Sequence, residues 1–186
     1  LPEHSQPMDL EKARTTLFTQ LRSVPGTEDI PLAQALGRVT AEPIYAQISL
    51  PPFPASAMDG YAVRRKDFDA AKPLRLIGQS LAGHPFHGTV TAGDCVRIFT
   101  GAVVPEGADL IVLQERLAES TVGNDGSEIV RFEEHEPDEA FIRSIGNDVE
   151  QGQIICPAGE VLTPLLLGSL ASAGVSSIHV IRRVRV

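Results

Sequence analysis

The stretch PPFPASAMDGYAVR, residues 51 to 64, limits what this chain can fold into more than any other. Each proline holds φ at about −65°, removes a backbone donor and biases the residue before it toward extended geometry. Pro51, Pro52 and Pro54 therefore exclude the interior of a helix or a sheet and stiffen a loop before any tertiary contact forms. Ala55, Ser56 and Ala57 are small enough to admit a ligand or another chain, and Gly60 frees the backbone just after Asp59. Two readings follow. Either the loop is a rigid ledge that presents Asp59 to a metal or a polar substrate, or it leads into a domain and Asp59-Gly60 is an ordinary turn. The residues of this stretch alone leave both open.

Around that loop the chain has 186 residues, enough for one domain or two small ones with real cores. Hydrophobic residues at 42% and charged residues at 22% fit a globular protein rather than a disordered one. A net charge of −8 speaks against nonspecific nucleic-acid or anionic-membrane binding, though a local basic cluster can still take an anion. No apolar run approaches the ~20 residues that cross a bilayer. Cys95 and Cys156 lack CxxC spacing and read as reduced, partly buried thiols of a cytoplasmic protein. The chain opens on Leu1 rather than Met, which predicts a piece of a longer or processed protein.

The periodicities predict a mixed α+β fold that is mainly β. Met8, Leu10, Ala13, Leu17 and Leu21 recur at helical spacing, so residues 8 to 22 predict a helix. A short helical turn is expected at LAQALG, stopped by Gly37, followed by an extended stretch from Arg38 to Glu42. Strands are predicted near Pro73 to Ala82, Asp94 to Phe99, Asp109 to Glu115 and Glu128 to Glu133, with turn signals between them. In DCVRIF, Val96 and Ile98 alternate with Arg97 as a half-buried strand would. EEHEPDE, residues 133 to 139, reads as a solvated loop. Near the end, QIICPAGEVL reads as strand, turn, strand. Thr163-Pro164 caps a helix that runs to Gly174, and SSIHVIRRVRV is strand-like. The expected organisation is an N-terminal helix at 1–26, then a discontinuous α/β linker domain at 27–45 plus 150–186. A small, barrel-like, all-β module at 46–149 is inserted in it.

Beyond the proline loop, two segments carry candidate chemistry. In RIFTGAVVPEGAD, residues 97 to 109, a strand delivers Thr100-Gly101 into a loop, where the hydroxyl can meet phosphate oxygens or simply cap a turn. In FIRSIGNDVEQG, residues 141 to 152, Arg143 and Asp148 flank a Gly146-Asn147 turn. Asp148 could join Asp59 in holding Mg²⁺, which takes one or two carboxylates plus substrate phosphates, or it could be a solvated turn residue. His84 and His87 suggest zinc only weakly, because Pro85 disfavours a helical pair and no third ligand is near in sequence. The chain contains no Walker loop, nucleophile elbow, HExxH or GxGxxG.

Taken together, PPFPASAMDGYAVR, RIFTGAVVPEGADLIVLQE, IRSIGNDVEQGQIICPAGEVL and LLGSLASAGVSSIHVIRRVRV resemble, in order and spacing, the molybdopterin molybdenumtransferase family, the MoeA and gephyrin E-domain proteins. The resemblance runs from about Leu32 to the last residue. It implies binding of adenylylated molybdopterin, its cleavage in the presence of Mg²⁺, and insertion of molybdenum from molybdate at the dithiolene sulfurs. It further implies a cytoplasmic homodimer whose cleft is completed by a MogA-like domain following this region, with a MogA-type adenylyltransferase as a partner and neither nucleic acid nor membrane. By the same resemblance Asp59, Thr100 and Asp148 are the catalytic candidates and Asp59 and Asp148 the metal-holding ones. Ser56, Met58, Gly60, Gly101 and Arg143 are the substrate-binding candidates. The chain departs from the family at Pro54-Ala55, where Asp-Asn is frequent, and at Ile145 and Asn147, where an arginine and a glutamate are frequent. The expectation is the N-terminal portion of such an enzyme, inactive by itself. The competing reading is a dimerising or scaffolding module without chemistry, and a third is a ligand-binding β module that shares the loop by accident.

Overall fold

Helical periodicity in the first residues and proline caps later on place two helices in a chain otherwise made of short strands. The computed structural model describes residues 9–20, 26–69, 72–123, 126–133 and 139–183. By its internal contacts the chain divides into two units. One comprises the described residues of Leu1–Ile44, Cys156–Ala171 and Ser176–Val186, and the other Tyr45–Ile155 with Ser172–Val175.

In the first unit, α1 covers Leu10–Gln20. The ends of the expected helix, 8 and 21–22, lie outside the described residues. Leu10 and Leu17 are 77% and 63% exposed, so these two of the apolar positions that make the segment read as a helix are not covered by the described residues. A strand that composition did not suggest, β1 (Thr27–Pro31), pairs antiparallel with the last strand, which spans Ser177–Ile181 and sets Ile30 opposite Ile178. Pro31 ends its strand, the position where a missing donor costs least. The LAQALG turn is a single 3-10 turn at Leu32–Gln34. Of the expected extended stretch after it, Val39 and Thr40 form isolated bridges to Val161 and Val180. Arg38 is 8% exposed and donates to Glu28 Oε1 at 2.5 Å and to the Ile181 carbonyl at 2.8 Å. The Thr163 hydroxyl accepts from the Leu166 N–H at 3.3 Å at the start of the second helix, Pro164–Ser172, the cap expected from Thr-Pro.

The second unit is built on six strands. β2 (Ile44–Tyr45) and β3 (Ala55–Ser56) precede them, and β3 borders the proline loop. The sheet itself contains β4 (Gly60–Val63), β5 (Leu74–Ser80), β6 (Asp94–Ile98), β7 (Leu110–Leu113), β8 (Leu117–Val122) and β9 (Glu128–Phe132). Their order is β7-β4-β6-β5-β9-β8, an open half-barrel rather than a closed one. The short strands β10 (Ile142–Arg143) and β11 (Ile154–Cys156), the helix α2 (Pro164–Ser172) and the strand β12 (Ser177–Ile181) follow in chain order. Among the described residues the architecture is mainly β with two α-helices, the fold class expected.

Period-two alternation sorts the side chains of this sheet to two faces, and both are covered. One face carries Tyr61, Val63, Leu74, Cys95, Val112, Val130 and Phe132; the other carries Ala62, Val96, Ile98 and Ile111. The strand read as half-buried, β6, is therefore packed on both sides: Cys95 has no exposed surface on one face, and Val96 and Ile98 have none on the other. Tyr61 meets Phe132 edge-on at 5.2 Å, a favoured aromatic geometry. The strands β4 and β8 went unrecognised in the sequence. The first is four residues following an Asp-Gly turn signal, and the second is exposed along nearly its whole length and has no apolar alternation to show.

Candidate functional site

Three prolines leave the loop rich in backbone acceptors and poor in donors, so its carbonyls must find N–H groups elsewhere. Two other segments supply them. Leu50 exchanges bonds with Val149 and accepts from the Asp148 N–H at 2.9 Å, and the Pro51 carbonyl accepts from Gly146 at 3.0 Å. The Pro54 carbonyl accepts from Val104 at 2.9 Å and the Ser56 carbonyl from Gly101 at 2.9 Å. Ser56 and Ala57 return donors to the carbonyls of Ala102 and Phe141. On one side β3 pairs with β10, setting Ser56 opposite Ile142 and Ala55 opposite Arg143; on the other, Ala55 bridges to Val103. The loop thus lies as a middle strand between the Thr100 segment and the Arg143–Asp148 segment. All three candidate motifs meet there, and all lie in the second unit.

Asp59 stands at the end of this loop, immediately before β4. Its Oδ1 accepts from both the backbone N–H and the hydroxyl of Thr100, each at 2.7 Å. Those two bonds, the backbone one first, hold the carboxyl below its usual pKa, and Arg97 adds a smaller pull in the same direction. The carboxylate is accordingly ionised at neutral pH and fixed in orientation. Asp59 is thus positioned by Thr100 and not by the proline loop alone.

Asp148 and Arg143 form an ion pair in which Nη2 of the arginine faces both carboxylate oxygens. The arginine, followed by Asn147, lowers the Asp148 pKa. Both side chains are partly exposed, so the pair orders the turn more than it stabilises the fold. No hydrogen bond or ion pair links Asp148 to Asp59 among the described residues; they share the loop, each with its own partner. No cluster of three or more His, Cys, Asp or Glu able to hold a metal occurs among the described residues. As a donor set, Asp59 is a hard oxygen ligand of the kind Mg²⁺ takes, whereas Asp148 is engaged by a guanidinium that repels a cation.

The remaining candidates divide by exposure. Ser56 is 1% exposed and its hydroxyl donates to the Met58 carbonyl at 2.6 Å, so it shapes the turn that carries Asp59. Gly60 is buried, and a Cβ there would sit 2.1 Å from the Val112 carbonyl oxygen. It permits the close approach of β4 and β7. Met58 is 41% exposed, Gly101 is exposed with φ +80°, and both can face a ligand.

In the sequence Arg97 is only the outward residue of an alternating strand. Its Nη1 donates to the Gly60 carbonyl at 2.6 Å and to that of Ile98 at 3.2 Å, and Nη2 donates to Gln114 Oε1. The guanidinium lies 5.1 Å from the Tyr61 ring centroid and 4.5 Å from that of Phe99. Such cation–π contacts are worth about 0.5–2 kcal/mol each. The signal available in the sequence was an arginine two residues from Phe99 in RIF, inside a strand too apolar to tolerate an idle charge.

Comparison with known proteins finds relatives over nearly the whole chain. A family model described as MoeA N-terminal region (domain I and II) matches residues 8–174. A molybdopterin molybdenumtransferase of Haemophilus influenzae is 38% identical over 179 residues, which is 96% of this chain and 43% of that protein. A gephyrin of Dictyostelium discoideum is 32% identical over 82% of this chain and 22% of its own length. Among solved structures, a molybdopterin biosynthesis MoeA protein from Pyrococcus horikosii superposes with a TM-score of 0.74 at 32% identity, covering 95% of this chain and 44% of that one. The chain therefore spans less than half the length of these relatives. None of its described helices is long and apolar enough to cross a membrane.

Proposed function

The chain belongs to the family of the MoeA N-terminal region, and from that premise we propose that it is part of a molybdopterin molybdenumtransferase of molybdenum cofactor biosynthesis. The substrates in this reading are adenylylated molybdopterin, which is cleaved, and molybdate, whose molybdenum is transferred to the dithiolene. The observation that carries the reading is the meeting of the three motifs around one ionised carboxylate, Asp59, oriented by the amide and hydroxyl of Thr100.

The direction of the Asp59 shift selects among its roles. An efficient general base has a pKa near the working pH, and Asp59 is moved the other way. It acts as a fixed negative oxygen: it orients a water or a substrate hydroxyl, or it serves as a metal ligand. Magnesium, when bound, offsets charge on the substrate phosphates. Asp59 would hold it through Oδ2, since Oδ1 accepts from Thr100. Arg143 is held in place by Asp148, and a guanidinium with its further donors suits a phosphate. Met58 and Gly101 offer exposed contacts beside Asp59. The homodimer and the MogA-type partner belong to this reading through the family, as does the requirement for chain beyond these residues to complete the cleft.

The deciding experiment is molybdenum insertion by the full-length protein with Asp59→Asn, an isosteric change that removes the charge. Insertion should be lost while folding and oligomeric state are retained. Activity like that of the wild type would sink the assignment of Asp59, whereas a wild-type protein that inserts no molybdenum would leave the scaffolding reading as the better one.

A further inference from the structure

We propose that Arg97 is the positioning residue of this site, the group that sets where Asp59 is presented. The proposal rests on the molybdenumtransferase reading of Asp59 and names a residue that reading does not include.

Three adjacent strands, β7, β4 and β6, end at the site, and each end carries one part of it. Asp59 precedes β4, Thr100 follows β6, and Gln114 follows β7. Arg97 stands opposite Tyr61 in the β4–β6 register, and its side chain reaches all three ends. One guanidinium nitrogen takes the carbonyls of Gly60 and Ile98, and the other takes the Gln114 side chain. The Gln114 N–H in turn donates to the Asp59 carbonyl at 3.1 Å. Arg97, Gly60, Asp59 and Gln114 thereby close a ring around the peptide unit that joins Asp59 to Gly60. With that peptide fixed, the Cα–Cβ direction of Asp59 is fixed, and the Thr100 donors meet a carboxylate already in place. The Tyr61 and Phe99 rings hold the guanidinium plane from the side. Lysine cannot substitute: a point charge on a flexible stem does not serve separate carbonyl and amide acceptors in a fixed fork.

The test uses steady-state molybdenum insertion by the full-length protein carrying Arg97→Lys, Gln114→Met, both together, or Asp59→Asn. Arg97→Lys should lower kcat by about tenfold or more with KM within about twofold, because misplacing a reacting group acts on the transition state. Gln114→Met leaves the guanidinium and the core intact and opens the ring at one bond. It should lower kcat less, with the melting temperature unchanged. The double variant should be no slower than Arg97→Lys alone, since both changes open one ring. A merely structural role predicts lower yield and melting temperature with normal kcat per folded enzyme. Wild-type kcat in Arg97→Lys, or losses that add in the double variant, overturns the proposal. If Arg97→Lys does not fold, a wild-type kcat in Gln114→Met overturns it. Asp59→Asn separates the two levels. An inactive Asp59→Asn beside fully active Arg97→Lys and Gln114→Met removes the positioning role alone; a fully active Asp59→Asn removes the role of Asp59 and this proposal with it, and a wild type without insertion removes the function reading.

Discussion

Replacing Gly60 by alanine tests the close approach on which the site's placement depends. The added Cβ would lie 2.1 Å from the Val112 carbonyl oxygen and 3.0 Å from Ile111 Cγ2. A carbon–oxygen contact settles at about 3.3 Å or more, so β4 and β7 must part by roughly 1 Å at this point. The obstructing atom is backbone and cannot rotate away. Over-packing of this kind costs ~1–3 kcal/mol, and a weakened ladder bond in the Gly60–Leu113 and Tyr61–Val112 register adds ~0.5–1.5 kcal/mol. The expected loss is thus about 3 kcal/mol, equivalent to a fall of roughly 6–12 °C in Tm for a chain of this size. Gly101→Ala is the internal comparison. Nothing lies within 4 Å of its Cβ, but its φ of +80° puts alanine in the left-handed region, at ~1–2 kcal/mol. Urea denaturation of both variants measures the two costs side by side. A Gly60→Ala protein within about 0.5 kcal/mol of the wild type, or more stable than Gly101→Ala, refutes the packing argument, since surface changes fall within that margin.

Thr100→Val removes one of the two donors on Asp59, so the Asp59 pKa should rise toward its ordinary 3.8, read by carboxyl ¹³C titration. A depressed pKa contributes stability that is present above the ordinary value and disappears as pH falls through the folded one. The stabilities of Thr100→Val and wild type should therefore differ at about pH 7 and converge in acid. Burial pushes the Cys95 thiol up to about 12, so it should resist thiol reagents in the native protein at about pH 8 and react fully on unfolding. Arg38→Met strips the Ile181 carbonyl and Glu28 of their donor and should cost ~1–3 kcal/mol, measured by denaturation.

Local chemistry made much of the fold readable. Strands β5, β6, β7 and β9 announce themselves by apolar runs between glycine and proline turns, and Thr163-Pro164 marks the start of α2. What stayed hidden depends on contacts distant in sequence. Thr27–Pro31 carries two acids and a proline and becomes a strand only by pairing with Ser177–Ile181. Leu117–Val122 is held by β9 and lies exposed, so nothing in its own pattern marks it. At the site, Asp59, Thr100, Arg143 and Asp148 are legible in the sequence as candidates, but their partners are not. The pairs are Asp59 with Thr100 and Asp148 with Arg143. Arg97 is hidden because a strand arginine in alternation looks solvent-facing until the Tyr61 and Phe99 rings near it are known.

The proline loop explains why these motifs must occur together. A stretch with three prolines in four positions keeps one backbone donor, at Phe53, so it is poorly suited to a self-sufficient hairpin or turn. Its carbonyls at Leu50, Pro51, Pro54 and Ser56 take N–H groups from Asp148, Gly146, Val104 and Gly101, drawn from the two segments that carry the other candidate residues. The stiffness of the loop keeps its own conformational cost low, and its shortage of donors forces those neighbours against it. Thr100 is brought to Asp59 by the same bonds that satisfy Ser56, and the Arg143–Asp148 turn is anchored by those that satisfy Leu50 and Pro51. The prolines therefore act less by presenting Asp59 directly than by making the loop depend on the chain segments that orient it.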